Sequence, residues 1–246
     1  MTLSRHSSHV EPHFKESNYI RDLVFGFGDG INTSLGIVAG VGGAVIAADV
    51  IILAALVGMF TGAKAMAVQN YLAVKSQRQI LESEIRREEY EIEHVPDKER
   101  QEVEEIYKLK GFEGSELQKV VDKITSKKEV WLKTMLTEEL GLNLEILGNP
   151  WKGALVMFGS FLVGGILPIL PYFAVKAGLI SSFAAILIAI AISIASSFTV
   201  GAIKAHMAQM NIIKGGIEMA GLGTGIALVD YGIGAELARV GIVNVQ

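Results

Sequence analysis

Two long apolar segments, separated by a highly charged one, limit how this chain can fold more than any other feature. Residues 75–148 carry 18 of the 26 acidic and 13 of the 22 basic side chains. The flanking segments, 21–74 and 149–246, are aliphatic and glycine-rich, and they raise the mean hydropathy to +0.41. Such a composition is typical of membrane proteins rather than soluble domains. The sequence therefore predicts an all-α integral membrane protein with a charged helical domain, here called the insert, at residues 75–148.

The apolar segments are long enough for five membrane-spanning helices, since each span needs about 20 apolar residues. Residues 21–74 fit two spans that divide near 47–50. The second segment begins at Asn149, a helix N-cap followed by Pro150 in the first turn. Two prolines further along, Pro168 and Pro171, predict a kink in the third span. The last three spans are expected near 151–174, 180–203 and 213–239.

The distribution of lysine and arginine predicts the orientation. Basic residues cluster at the ends that an alternating topology places on one side, which the positive-inside rule assigns to the cytoplasm. The N-terminus and the insert are therefore expected in the cytoplasm, and the C-terminus on the other side. Residues 1–20 form a polar tail without the apolar core of a signal peptide. The chain has no cysteine, which excludes disulfides and thiolate metal ligands.

The insert is predicted to be helical, because long stretches of it contain neither glycine nor proline. Its first helix is expected to prolong the second span and to stop at Pro96. The next helix would begin with Asp97 as its N-cap and end at Gly111. Ser115 is expected to cap a further helical stretch, which Gly141 closes.

Glutamates at helical spacing are the clearest chemical signal in the insert. Two pairs are three residues apart, so each pair shares one helix face, and Pro96 would fold the two helices back on each other. Clustered carboxylates repel unless a cation lies between them. Oxygen ligands with a methionine sulfur nearby favour Fe²⁺, Mn²⁺ or Zn²⁺ over Mg²⁺ or Ca²⁺. The candidate ligands are Glu88, Glu91, Glu99, Glu102, Met135 and Glu139.

An alternative interpretation of the same glutamates remains open. Glutamate-rich helices are commonly solvated faces whose carboxylates pair with basic neighbours, here Arg86, Arg87, Lys98 and Arg100. The stretch from Glu91 to His94 also has the Glu-x-x-His spacing of di-iron bundles. The chain contains no second copy of it, so an enzyme with a di-iron centre is not expected.

Ionisable groups within the spans are costly and are candidates for a transport pathway. Asp29 lies about 13 Å into the first span, and Met66 is expected at a similar depth in the second. Lys64 is two residues from Met66 and is therefore expected near the same depth. Its ammonium group is a candidate to pair with Asp29 in place of a metal ion. Structural ion pairing and transport explain Lys64, Glu218 and Asp230 equally well.

Several stretches resemble the vacuolar iron transporter family, from about residue 20 to about residue 235. They include "RDLVFGFGDGINTSLGIVAGVGGA", "GAKAMAVQNYLAVKSQRQ" and "MLTEELGL". The resemblance implies a homodimer of five-helix protomers that moves Fe²⁺, and in some members Mn²⁺, out of the cytosol in exchange for protons. It also implies that the six candidate ligands of the insert bind metal and that Asp29 and Met66 line the membrane pathway.

The second span departs from that family's pattern. Gly58 stands where the family has a glutamate, and Lys64 where it has a small or apolar residue. Two hypotheses follow. The first is a dimeric divalent-metal transporter, not an enzyme, with no prosthetic group and no nucleic-acid partner, in a vacuole-type organelle membrane or a prokaryotic plasma membrane. The second is a non-transporting metal sensor or buffer whose pore is closed by a Lys64–Asp29 ion pair.

Overall fold

The computed structural model describes residues 17–44, 47–141 and 148–240, and these residues form helices and turns without a β-strand. Most of the predicted N-terminal tail lies outside the described residues. The chain divides into two compact units. Residues 1–71 with 149–246 are here called the membrane unit, and residues 72–148 contain the insert. The helices are α1 (Ser17–Ala44), α2 (Ala48–His94), α3 (Pro96–Leu109), α4 (Gly114–Thr125), α5 (Lys128–Thr134) with a following π-helical turn (Met135–Glu139), α6 (Pro150–Ile166), α7 (Leu170–Lys176), α8 (Ser182–Met207) and α9 (Ile212–Arg239).

Four of the described helices, α1, α2, α8 and α9, are long and apolar enough to cross a membrane. Helices α6 and α7 form a fifth span when they are counted as one, bent by 43°. The bend falls at Pro168 and Pro171, as predicted, because proline removes a backbone donor and crowds the preceding turn. The predicted all-α integral membrane fold is therefore confirmed.

Helix boundaries agree with the sequence in the membrane unit and depart from it in the insert. The side chain of Asn149 accepts hydrogen bonds from the backbone nitrogens of Trp151 and Lys152, at 3.0 and 3.3 Å, and so caps α6 as predicted. Asp97 and Ser115 are not N-caps, so both predictions were wrong. Val95 precedes α3, because Pro96 takes the first helical position, for which its fixed φ is suited.

The fourth helix begins two residues earlier than predicted. Glu113 holds the N-cap position, and Gly114, with a φ of +55°, turns the chain into α4 before Ser115. Glycine adopts this left-handed conformation without steric cost, whereas serine does not. Gly111 and Gly141 lie just beyond helix ends, as predicted, with φ values of +95° and +61°.

Small residues let α1 and α9 pack closely along their length. The pairs in contact follow the same direction on both helices, with Gly28 beside Met219 and Gly40 beside Gly234. The two helices are therefore parallel, which is what an alternating topology requires of a first and a fifth span. Close backbone approach through glycine is the usual packing mode in membranes, where apolar surface gives no extra driving force.

Replacing Gly234 with alanine should destabilise the membrane unit. The added methyl carbon would lie 1.9 Å from the backbone oxygen of Gly40, so α1 and α9 would have to separate. Overpacking of this kind costs about 1–3 kcal/mol. Thermal unfolding in detergent, followed by Trp151 fluorescence in a Trp131→Phe background, would measure the loss. Gly232→Ala is the matched control, because nothing lies within 4 Å of the carbon it adds; equal melting temperatures for the two variants would contradict the packing argument.

Candidate metal centre and membrane carboxylates

Five of the six predicted ligands of the insert bring their carboxylates together. Carboxylate oxygens of Glu88, Glu91 and Glu99 all lie within 4.8 Å of one another. Carboxylate oxygens of Glu99, Glu102 and Glu139 meet the same limit. Glu99 belongs to both groups and is therefore the central residue of this set, here called the glutamate cluster.

Three structural elements hold the glutamate cluster in place. Helix α2 ends at His94 and α3 begins at Pro96, so only Val95 joins the two helices that carry the spaced glutamate pairs. The fifth carboxylate comes from the π-helical turn at Met135–Glu139. Such turns are rare and occur frequently at functional sites.

The two inner carboxylates are buried without the partners that buried polar groups normally have. Glu99 is 0% exposed, and neither of its carboxylate oxygens has a hydrogen-bond partner among the described residues. Glu88 is 4% exposed, and its Oε1 is also without a partner there. Leaving such oxygens unsatisfied is costly, and a divalent cation between the carboxylates would satisfy them.

Burial and mutual repulsion favour the protonated form of three carboxyls of the cluster in the absence of metal. Burial raises the pKa of the Glu88 carboxyl to about 8, and the adjacent Glu99 adds to the increase. Burial also raises the pKa of Glu99; the facing Glu88 carboxyl lowers it in part, and repulsion from Glu102 and Glu91 adds to the increase. Loss of solvent contact, followed by repulsion from Glu102 and Glu99, raises the pKa of Glu139. A metal ion that binds here must therefore displace protons.

Basic neighbours neutralise only the outer part of the cluster. Arg87 Nε lies 3.2 Å from Glu91 Oε1, and Lys98 Nζ lies 2.9 Å from Glu102 Oε1. The alternative interpretation of a solvated, salt-bridged face therefore applies to these two glutamates. Within the part of the chain that the structure describes, no salt bridge reaches Glu88 or Glu99.

Met135 and His94 lie in different surroundings. Met135 is fully buried in the apolar core of the insert with Trp131, four residues before Glu139. Its role as a sulfur ligand stays a prediction. The ring of His94 stacks on Tyr90 with 3.8 Å between centroids, and His94 belongs to neither carboxylate group.

Asp22 is a membrane-unit carboxylate that the sequence did not reveal as important. It is 2% exposed, and its Oδ2 accepts a hydrogen bond of 3.2 Å from Asn70 Nδ2, which ties α1 to α2. Its Oδ1 lies 3.0 Å from the guanidinium of its neighbour Arg21. The sequence signal was weak, because an acid beside an arginine at a span end is expected to be exposed at the interface.

The Asp22–Asn70 hydrogen bond provides a common level from which depth in the two spans can be compared. At 1.5 Å per residue, Asp29 lies about 10 Å beyond it along α1, and Met66 about 6 Å beyond it along α2. Asp29 is half-buried, and Met66 packs against the apolar core of the membrane unit. On this scale the two depths differ by about 4 Å, and the role of Asp29 and Met66 in a membrane pathway stays a prediction.

Lys64 does not form the predicted ion pair with Asp29. It lies about 9 Å beyond the Asp22–Asn70 level, close to the depth of Asp29. Its side chain is exposed, however, on a face of α2 that also presents Val57 and Phe60. No salt bridge between Lys64 and Asp29 occurs in the described part of the chain, because α2 directs Lys64 away from its packed face.

The remaining candidates of the membrane unit differ in burial. Glu218 is exposed in the second turn of α9, whereas Asp230 is half-buried against α1. A methyl group placed on Gly58 would lie 2.2 Å from Cδ1 of Ile37. The isoleucine therefore fills the space beside the position where the resemblance implies a glutamate.

Fold and site together define a multi-pass helical membrane protein whose inserted domain gathers carboxylates around a position suited to a divalent cation. Comparison with protein families shows the family within this class. The VIT family matches residues 20–235, so the chain belongs to that family.

Curated relatives agree with this assignment over most of the chain. Vacuolar iron transporter 1 of Oryza sativa subsp. japonica is 29% identical over 228 residues, which cover 93% of this chain and 89% of the relative. The vacuolar iron transporter of Toxoplasma gondii is 33% identical over 242 residues, 94% of this chain and 79% of the relative. The vacuolar iron transporter of Centaurea cyanus is 35% identical over 170 residues, which cover 69% of this chain and 68% of the relative.

Proposed function

We propose that the protein is an iron transporter that moves Fe²⁺, and with it Mn²⁺, out of the cytoplasm in exchange for protons. The observation that carries the proposal is the pair of buried, unpartnered carboxylates at the centre of the glutamate cluster, in a chain whose relatives are named vacuolar iron transporters. The metal is the cargo, and the glutamate cluster is its cytoplasmic binding site.

The glutamate cluster suits capture of a divalent cation. Five carboxylates from three elements supply more ligand oxygens than Arg87 and Lys98 occupy. These two salt bridges leave Glu88, Glu99 and Glu139 for a cation. Fe²⁺ and Mn²⁺ accept carboxylate ligands, and a thioether such as Met135 would favour Fe²⁺ further. Binding would release the proton that burial favours on Glu88.

Within the membrane, we infer a pathway that begins at Asp29 and Met66. A half-buried carboxylate within a span, about 10 Å beyond the Asp22–Asn70 level, is costly unless it serves a cation or a proton. A homodimer would place two such pathways about a common axis. Lys64 supports the dimer, because a charged side chain on an outward apolar face of α2 requires either a second copy or water beside it.

The proposed orientation places the N-terminus and the insert in the cytoplasm of a vacuole-type organelle membrane or a prokaryotic plasma membrane. It rests on the basic residues at the cytoplasmic span ends, such as Arg21 and Lys204. The alternative function is a sensor or buffer whose pore is closed by a Lys64–Asp29 ion pair. It lacks this closing contact, because Lys64 and Asp29 are not paired. What remains of that alternative is metal binding without flux.

Fe²⁺ flux into proteoliposomes tests the proposal. We expect Fe²⁺ to enter vesicles that contain the intact chain, accompanied by proton movement in the opposite direction. Asp29→Ala should reduce entry to the level of empty vesicles, because it removes the first carboxylate of the pathway. Entrapped dyes for iron and for pH measure the two fluxes under anaerobic conditions.

Asp49→Ala provides the matched control, since Asp49 is an exposed carboxylate at the start of α2 that pairs with Lys176 at 2.7 Å. It should transport at the rate of the unaltered chain. No flux from protein whose insert still binds Fe²⁺ would reject transport and favour the sensor or buffer. Flux without proton movement would reject only the exchange.

A further inference from the structure

Asp230 occupies a notch that two glycines leave in α1. A methyl group placed on Gly36 would lie 2.2 Å from Oδ2 of Asp230, so the carboxylate fills the space where a larger residue would place its side chain. One turn further, a methyl group on Gly40 would lie 3.4 Å from the backbone oxygen of Asp230. The carboxylate is thus held directly against α1, nine residues before the end of α9 at Arg239.

The notch lies on the face of α1 that carries Asp29. Asp29 and Gly36 are seven residues apart, which is close to two full turns of 3.6 residues. Their side-chain directions therefore differ by only about 20°, and their heights by about 10 Å. Since α1 and α9 are parallel, Asp230 presents a second carboxylate to this face, two turns further from Arg21.

No basic side chain neutralises Asp230 in the described residues. On α8, which packs along α9, the ionisable groups are Lys204 and His206, both at the end of α8 that meets the start of α9. On α1 the only described cation is Arg21, next to Asp22. An ionisable group within a span and without a countercharge is a functional candidate by default.

Gly58 and Asp230 lie at the same height on different sides of α1. Gly58 contacts Ile37 and Asp230 contacts Gly36, which are neighbours in the sequence. Helix α2 therefore offers no carboxylate at this height, whereas α9 does. Glu218 does not compete for the role, because it is exposed and only four residues from Lys214 near the start of α9.

We propose that Asp230 is the second cation-binding carboxylate of the membrane pathway and receives the divalent metal after Asp29, on the exit side. This inference rests on the proposed transport function. It assigns the step beyond Asp29 to α9, packed against the Gly36 notch, rather than to α2.

The test compares initial rates of Fe²⁺ entry into proteoliposomes for Asp230→Asn, Asp230→Gly and the swap variant Gly36→Asp/Asp230→Gly. Asp230→Asn keeps the shape and removes the charge, and should lower the rate by at least about tenfold. The swap returns a carboxylate to nearly the same space from α1, and should restore the rate to within about threefold of the unaltered chain. Glu236→Gln, an exposed carboxylate of α9 paired with Arg239, should have no effect.

The outcomes separate the inference from the function on which it rests. If the unaltered chain carries no Fe²⁺, the transport function itself fails. If that chain transports and Asp230→Asn remains within twofold of its rate, transport stands and the role of Asp230 is overturned. If Asp230→Asn is inactive and the folded swap variant, monodisperse in detergent, is inactive too, Asp230 acts through packing and the inference is likewise overturned.

Discussion

Replacing Glu99 with glutamine should lower the affinity of the insert for Fe²⁺ by about 100-fold or more, equivalent to about 3 kcal/mol. Glu99 is the one carboxylate shared by both groups of the glutamate cluster, and it is 0% exposed. Glutamine keeps the shape but removes the charge that holds the cation. The same change should leave the metal-free insert at least as stable, because it removes a buried, unpartnered carboxylate.

Tryptophan fluorescence gives a direct measurement. The chain has two tryptophans, and Trp131 packs with Met135 in the apolar core of the insert. In a Trp151→Phe background, anaerobic Fe²⁺ titration of the detergent-solubilised protein would therefore report on the insert alone. Glu105→Gln is the matched control, an exposed glutamate on the same helix outside the cluster. An unchanged dissociation constant for Glu99→Gln would show that the cluster does not hold the metal.

The fold could be predicted largely from hydropathy, because the bilayer imposes a helix length that is visible in the sequence. The break near Ala48, the Asn149 cap and the kink at Pro168 all follow from local rules. The errors at Asp97 and Ser115 arose where two local rules compete. Pro96 and Gly114 fix the backbone, and this outweighs the hydrogen bond that a capping side chain would add.

The candidate site was predictable to the extent that helical spacing determines it. Glu88 and Glu91 share a face by spacing alone, and a sharp connection at Pro96 explains why α3 joins them. Spacing does not show which carboxylates pair with a neighbouring cation. Glu91 does so and Glu99 does not. The π-helical turn that brings Glu139 to the cluster also has no sequence signature.

Tertiary contacts decided the rest of the membrane unit. Lys64 and Asp29 lie at similar depths, yet the direction of Lys64 on α2 depends on which face packs, and that depends on every neighbouring helix. Asp22 was overlooked for the same reason, since its partner Asn70 is 48 residues away. The position of Asp230 required knowing that α9 runs parallel to α1 with Gly36 opposite.

The affinity of the insert for Fe²⁺ should rise about 100-fold between pH 6 and pH 8, or tenfold per unit for each proton displaced. The pKa of Glu88 is raised to about 8 in the metal-free protein, mainly by burial. Below that value, the metal must displace a proton from Glu88, and above it the carboxylate is already ionised. The dependence should therefore level off above about pH 8.

The stability of the metal-free insert should change in the opposite direction. A carboxyl whose pKa is raised on folding binds its proton more tightly in the folded state. The contribution of the Glu88 proton to the free energy of unfolding is therefore complete below the ordinary pKa of 4.5 and is lost as the pH rises to about 8. Glu88→Gln should make both dependences shallower. If Glu88→Gln leaves the slope of affinity against pH unchanged, the displaced proton belongs to another carboxyl. If the affinity of the unaltered chain does not change with pH, metal binding displaces no proton in this range. The fall in stability and the rise in affinity have one cause, since the buried charge that destabilises the empty cluster is the charge that holds the metal.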